Sequence, residues 1–348
     1  MKTERFEFRL PQRLVRIAPR EGTSEPRDHA RMVVLNRREG RVEHRRFDDL
    51  GEYLRPGDVL VVNDSLVMQD ELRGESRRGP MRLILCGYHR DGWHLLAKPS
   101  TRAKRGVVVS VGDGAIRVTL RKKSLGTDMW LARLEHSGDL PELLERHGTT
   151  FAVDSARREA TRHLRQNVYA RNPGSVEVPS AGLHFTTALL ARLESQGVVV
   201  VPITLHVGLT EMSPFRQIST KEVEDHRVAA EWYDVSRTSA EAINDARRRK
   251  CRVVAVGTTV VRTLETVTSA SGRVPRVRAG RGWTDLYLHP GCPFRMVDIM
   301  LTNLHQPRSS HLVLVAAFAG VEFTTRAYRE LVRTGYRFDV FGDSMLLL

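Results

Sequence analysis

The sequence predicts an α/β fold: a partly barrel-like main domain with a small antiparallel β-barrel inserted into it. Three observations predict it. The run VVVVPITLHVG at 198–208 is apolar and largely β-branched, broken only by Pro202 and Thr204, which reads as a strand buried on both faces in a helix-covered sheet. Similar runs alternate with helix-like segments from 151 onward. Between 66 and 150 the texture differs: MRLILC, GWHLLAK, GVVVSV, AIRVTL and MWLARL recur at about ten-residue spacing with Gly, Asp and basic turns between them, the pattern of a small barrel. The expected domains are 1–65 with 151–348, and the inserted 66–150.

Taken in order, MVVLN and RVEHRRF read as strands joined at Glu39-Gly40, and FDDLGEYL as a short amphipathic helix. A PGD turn leads into VLVVN, which ends on Asn63-Asp64. After the barrel, ELLERHG is a helix closed by Gly148, and ARREATRHLRQNVYA is a basic helix with Arg158, Arg162 and Arg165 along one side. TTALLARLESQG is a helix feeding the central strand, and TSAEAINDARRRKC is the helix before VVAVG. TDLYLHPGCPF reads as a strand leaving into a Pro-Gly turn, and AYRELVRTGY as a final helix.

Ligands in such folds sit outside the carboxyl ends of strands. His206 stands at that position, and Gly208 would let backbone approach a ligand closely. By position alone, His206 reads equally as a core histidine bonded to backbone. The pattern recurs, however. PSAGLHF carries His184, RVVAVGTTVVRTLE turns at Thr258-Thr259, and RMVDIMLTNLHQP ends on Asn303, Leu304 and His305.

Composition bounds the partners. The chain has 348 residues, with 55 Lys and Arg against 41 Asp and Glu, a formal net charge of +14. Clusters at 102–105, 121–123, 247–250 and 273–281 favour a polyanion partner. Arginine-rich codon usage explains arginine over lysine but not the excess over acids. Cys86, Cys251 and Cys292 are widely spaced and form no CxxC pair, so neither a disulfide framework nor a zinc knuckle is implied. The opening MKTERFEFRLPQRL lacks a signal-peptide stretch and no apolar run is of membrane-spanning length, so a cytoplasmic protein is expected, as a monomer away from membranes.

The segments AGLHF, TLHVG, AVGTTVVRTLE, VDIMLTNLHQPRSS, AFAG and YRFDVFGDSML resemble the queuosine-biosynthesis family of S-adenosylmethionine:tRNA ribosyltransferase-isomerases, in order and nearly end to end. The resemblance implies a β-barrel set inside an α/β domain. It also implies that S-adenosylmethionine, as co-substrate, donates its ribosyl carbons to 7-aminomethyl-7-deazaguanine in tRNA. The product is epoxyqueuosine, with adenine and methionine released. The sulfonium acidifies the neighbouring 5′ protons, so a base starts the reaction, an acid assists adenine, and no metal is required. His206, His184 and His305 are the proton-transfer candidates, with Asp298 beside them as a catalytic carboxylate and Asp64 and Asp343 as further partners; His206 is the first choice for the base.

Substrate contacts are expected from Asn63, Asp64, Ser180, Gly182, Phe185, Gly208, Thr258, Thr259, Arg262 and Asn303. The threonine pair suits the methionine carboxylate or a phosphate at a helix N-terminus, or is a plain N-cap. Phe185 stacks on adenine or packs in the core. Four stretches depart from the family pattern: LVMQDEL at 66–72, DLPELLERHG in place of an LPPYI segment, Thr210-Glu211-Met212, and HRVAAE at 226–231, which loses a histidine. They allow an alternative, a paralogue that uses S-adenosylmethionine on a small-molecule acceptor. A non-catalytic tRNA-binding protein is disfavoured because the three histidines remain.

Overall fold

The computed structural model describes residues 1–16, 26–124, 128–150, 163–208, 217–269 and 274–348. The chain first lays down a hairpin, β1 (Arg31–Asn36) and β2 (Arg41–Arg46), on the turn read from the sequence. FDDLGEYL forms a 3-10 helix, Phe47–Glu52, and not an α-helix; its two apolar residues, Phe47 and Leu50, lie three apart and eclipse on one buried side. Next comes β3 (Val59–Asn63), all buried, with Val59 and Val61 entering one core and Leu60 and Val62 the other.

A short strand, β4 (Ser65–Val67), leads into the insertion: β5 (Glu71–Ser76), β6 (Gly79–His89), β7 (Gly92–Lys98), β8 (Val108–Val111), β9 (Ile116–Lys123) and β10 (Met129–His136). Neighbours run β5-β6-β7-β10-β9-β8, and a β5–β8 bridge closes six strands into a barrel around Leu83, Leu95, Val109, Val118 and Trp130. Closure requires Gly74, where a Cβ would collide with the Ser110 carbonyl on β8. The insertion ends in α1 (Leu140–His147), capped by Asp139, and β11 (Gly148–Thr149), which adds to β5. The altered LVMQDEL stretch is the passage from sheet to barrel, with Gln69, Asp70 and Glu71 buried.

Of the basic helix candidate, Arg158 and Arg162 fall outside the described residues; His163–Arg165 is a 3-10 turn. The altered Thr210-Glu211-Met212 also lies outside them. The main domain resumes with β12 (Asn172–Ser175), parallel to β4, then α2 (Thr187–Ser195) and β13 (Val199–Leu205). It continues through β14 (Glu231–Val235), α3 (Arg237–Arg248), β15 (Val253–Val256) and α4 (Thr258–Val267). Two-residue strands β16 (Thr268–Ser269) and β17 (Arg276–Val277) pair ahead of β18 (Gly280–Thr284). The strand expected in TDLYLHPGCPF therefore lies upstream, in GRGWT. Glycine is a poor strand former, but here Gly282 admits Tyr233, whose OH would stand 2.8 Å from a Cβ. Last come β19 (Ile299–Asn303), α5 (Ser310–Ala319), α6 (Val321–Arg333) and β20 (Ser344–Leu347).

The nine-stranded main sheet runs β18-β14-β13-β3-β15-β19-β20-β1-β2, so its edges are β18 and β2, and the closed barrel belongs to the insertion. Its centre, β13-β3-β15-β19, is parallel. The chain passes from β3 to β13 on one side, then back over β3 to β15. Leu189 and Leu193 of α2 pack on one face, and Ile243 of α3 with Val260 and Leu264 of α4 on the other. Crossovers on opposite faces open a crevice at the carboxyl ends of the parallel strands, at the switch in strand order. Among the described residues no helix is long and apolar enough to cross a membrane.

Candidate active site

Four strand ends meet at that crevice: 63–65 after β3, 206–208 after β13, 257–259 after β15 and 303–305 after β19. His206 is the most elaborately held. Its N–H donates to the Trp232 carbonyl at 2.9 Å, and its ring lies on the Trp232 indole with centroids 4.8 Å apart and planes at 14°. Nδ1 is 2.8 Å from Ser65 Oγ, which is 2.6 Å from Ser175 Oγ. Ser175 Oγ in turn accepts the Val207 N–H at 2.8 Å. A side chain at Gly174 would collide with the imidazole, so glycine there makes room for the ring. Burial pulls the His206 pKa down to about 4, against a smaller opposing pull from Asp64 and then Asp234, leaving a neutral ring at pH 7.

The hydroxyl pair lets that ring hold either tautomer. When Nδ1 accepts from Ser65, Nε2 carries the proton. When Nδ1 donates to Ser65, Ser65 donates to Ser175 and Nε2 presents a lone pair. The two arrangements differ by rotation of hydroxyl protons.

Neighbouring polar residues are engaged in holding the strand ends. Asn63 clamps β3 to β13, donating to the Leu205 carbonyl at 2.9 Å and accepting from Leu205 N at 3.0 Å and Ser65 N at 3.1 Å. Asp64 is buried and accepts from Thr204 Oγ1 and Arg171 Nε, each at 2.7 Å. Arg262 is inside the protein, ion-paired with Glu231 and donating to the Leu286 carbonyl at 2.9 Å and the Thr284 carbonyl at 3.2 Å. Glu231 also accepts the Gly208 N–H at 3.2 Å, so Arg262 steadies the strand end through Glu231. A Cβ at Gly208 would stand 3.1 Å from the Cys86 carbonyl of the barrel, so the glycine marks a close approach of the barrel to the end of β13.

Thr258 and Thr259 open α4, whose N-cap is Gly257 at φ 93°, a conformation that favours glycine. Among the described residues no side chain caps this end, which leaves first-turn N–H groups of the helix without a side-chain partner. Asn303 donates to the carbonyls of Asp339 and Val340 at 3.2 and 3.1 Å, and its buried Oδ1 has no hydrogen-bond partner among the described residues. His305 is turned inward, with Nε2 3.0 Å from Thr302 Oγ1, its N–H on Tyr328 OH at 3.2 Å and its ring against His311.

The 3-10 turn Ser180–His184 lies over the end of β15, where Ala181 would stand 3.5 Å from a Cβ at Gly257. Ser180 is half-buried; Gly182 admits the Tyr169 hydroxyl and Asn167, with which a Cβ would collide. His184 is buried on Phe47. Phe185 is fully buried, edge-on to Phe47 at 5.0 Å, so it packs the core and offers no face to adenine.

Asp298 is not brought to this crevice. It precedes β19 at the amino end, roughly 16 Å from the carboxyl end at strand rise. There it pairs with Arg247 at 2.7 Å and accepts the Val253 N–H at 2.8 Å. Asp343 accepts the Arg31 and Arg337 N–H groups at 3.2 and 2.7 Å, tying β20 to its neighbours. Among the described residues no three His, Cys, Asp or Glu side chains gather as metal ligands. Sequence reasoning missed Ser65, Ser175, Gly174 and Trp232. Ser65 follows the flagged Asn63-Asp64, and Trp232 follows the flagged HRVAAE segment, but Ser175 is 110 residues from its partner Ser65.

The same arrangement can be set against known proteins. The family model described as queuosine biosynthesis protein matches residues 3–347. The chain belongs to that family. Among relatives, S-adenosylmethionine:tRNA ribosyltransferase-isomerases of Symbiobacterium thermophilum and Moorella thermoacetica are 43% and 41% identical, each alignment spanning the whole of both chains. The crystal structure of S-adenosylmethionine tRNA ribosyltransferase from Thermotoga maritima is similar at a TM-score of 0.56 and 33% identity, covering 99% of this chain and all of that one. The queuosine biosynthesis family thus accounts for the sheet and the inserted barrel together.

Proposed function

We propose that this chain transfers and isomerises the ribosyl portion of S-adenosylmethionine onto 7-aminomethyl-7-deazaguanine in a tRNA, giving epoxyqueuosine with release of adenine and methionine. The observation that carries the reading is what stands at one edge of the parallel sheet: a neutral, tautomer-switchable His206 after β13, an uncapped helix terminus at Thr258-Thr259 after β15 and the buried Asn303 amide at the end of β19. End-to-end relatives bearing that enzyme name, and the net charge of +14, support an RNA acceptor over a small molecule. A tRNA substrate supports a cytoplasmic setting, and a monomer is part of the same proposal. The division into 1–65 with 151–348 and the inserted 66–150 is part of the same proposal.

In this reading the α4 terminus holds the donor's methionine carboxylate. With Nδ1 donating to Ser65, His206 Nε2 accepts a proton from the 5′ carbon beside the sulfonium, whose positive charge stabilises the carbanion. The acceptor amine attacks in its neutral form, and a protonated group assists the departure of adenine. Asn303 fixes a donor hydroxyl or amide. His184 and His305 are proposed to support the two walls of the crevice, and Asp64 to orient the His206 strand end.

The test is adenine release from S-adenosylmethionine with tRNA carrying the deazaguanine acceptor. His206→Ala is expected to bind the donor and lose turnover by roughly 10²–10⁴-fold, the contribution of one proton transfer. Wild-type-like release by this variant would remove His206 from the role.

A further inference from the structure

The barrel and the main sheet share a strip of aromatic side chains that leads away from His206. Trp232 lies under the His206 ring. Trp283 on β18 is its direct cross-strand partner, so both indoles emerge on one face, and both are partly exposed. Tyr88 on the barrel strand β6 stands 5.6 Å from Trp283 and 5.5 Å from Trp93, with planes at 41° and 50°. Tyr88 is 48% exposed, the barrel's most exposed aromatic ring.

Beside this strip the barrel and the main sheet also approach through backbone at Gly87 and Gly208, yet Tyr88 stays about half exposed. Arg281 precedes Trp283 by two residues, so it shares that face of β18; its side chain is 74% exposed and ion-paired with Asp234 at 2.7 Å. Arg90 sits in the β6–β7 turn two residues beyond Tyr88.

We propose that Trp283 and Tyr88 form a stacking platform for unpaired nucleobases of an RNA loop, continuous with the His206 crevice. The proposal rests on the RNA-acceptor reading above and deepens it. A base that receives a ribosyl group cannot remain stacked among its neighbours, and the flanking bases need a surface when it is drawn into the crevice. Partly exposed aromatic rings offer such a surface without regard to sequence, because every base has a π-face. The arginines beside the strip, in a chain of net charge +14, meet the phosphates of the same loop. Stacking supplies affinity and placement; the charge supplies the salt-dependent part.

The probe is an RNA anticodon stem–loop with 2-aminopurine replacing a loop base next to the acceptor position. Wild-type protein is expected to quench its fluorescence on binding as the base stacks. Trp283→Ala and Tyr88→Ala are expected to weaken binding roughly 5- to 150-fold and relieve the quench, with the slope of affinity against salt unchanged. Trp283→Phe and Tyr88→Phe should retain most of the binding, which separates loss of a ring from loss of fold. Circular dichroism and S-adenosylmethionine titration check that the variants remain intact. Unchanged RNA affinity and quench in the folded alanine variants would overturn the platform while leaving the RNA-acceptor reading in place. If wild-type protein binds no RNA at low salt, that reading fails and the platform with it.

Discussion

The two ends of the parallel strands both carry polar residues, and they treat them differently. At the amino end, Asp58 accepts from Arg55 N at 2.8 Å and Arg252 N at 3.1 Å and pairs with the Arg252 guanidinium. Asp298 accepts twice from Arg247 and once from Val253 N. These carboxylates are used up in joining β3, β15 and β19. At the carboxyl end, among the described residues, the Asn303 oxygen has no hydrogen-bond partner and α4 starts without a side-chain cap, and the His206 ring can exchange tautomers through two serines. Polar character marks both ends. Unspent hydrogen-bonding capacity marks the reactive one.

If this contrast is real, lowering the pH strikes the carboxyl end. Burial holds the His206 pKa near 4, below its unfolded value of about 6.5, and the same holds for His89 in the barrel. The unfolded chain then binds more protons between those values, so stability is full above about pH 6.5 and falls as pH drops through 4. The loss per histidine is at most about 3 kcal/mol. Thermal unfolding from pH 7 to pH 4 measures it, and His206→Asn should shallow the slope, leaving the part due to His89 and to His94, whose pKa burial also lowers. A flat wild-type profile would mean that none of these rings is held neutral.

A smaller effect is expected at the amino end. Asp298→Ala leaves Arg247 and the Val253 N–H without their carboxylate, costing about 1–3 kcal/mol of stability. Urea unfolding reads that loss, while turnover per folded molecule stays at the wild-type value. A turnover defect out of proportion to stability would put Asp298 back among the catalytic groups.

This contrast also explains what was legible in the sequence. His206, Thr258, Thr259 and Asn303 could be picked out because each follows an apolar run, and parallel strands bring such positions to one edge. Asp298 stands before its run, in VDIML, so strand direction alone would have set it at the opposite edge. Arg262 and Asp64 could not be sorted into binding or support, because their partners Glu231 and Arg171 are 31 and 107 residues away. The Ser65–Ser175 pair was hidden for the same reason. Phe185 could be core or ligand surface until Phe47 was seen packed on it. The barrel was legible from its spacing, but its closure through the Gly74 contact was not.

The most direct test follows the proton. S-adenosylmethionine labelled with tritium at the 5′ carbon is incubated with tRNA acceptor, and label released to water is counted. The account predicts release by wild-type protein and by folded Asp298→Ala at similar rates, and a loss of roughly 10²-fold or more in His206→Ala. Release by His206→Ala at the wild-type rate would contradict it.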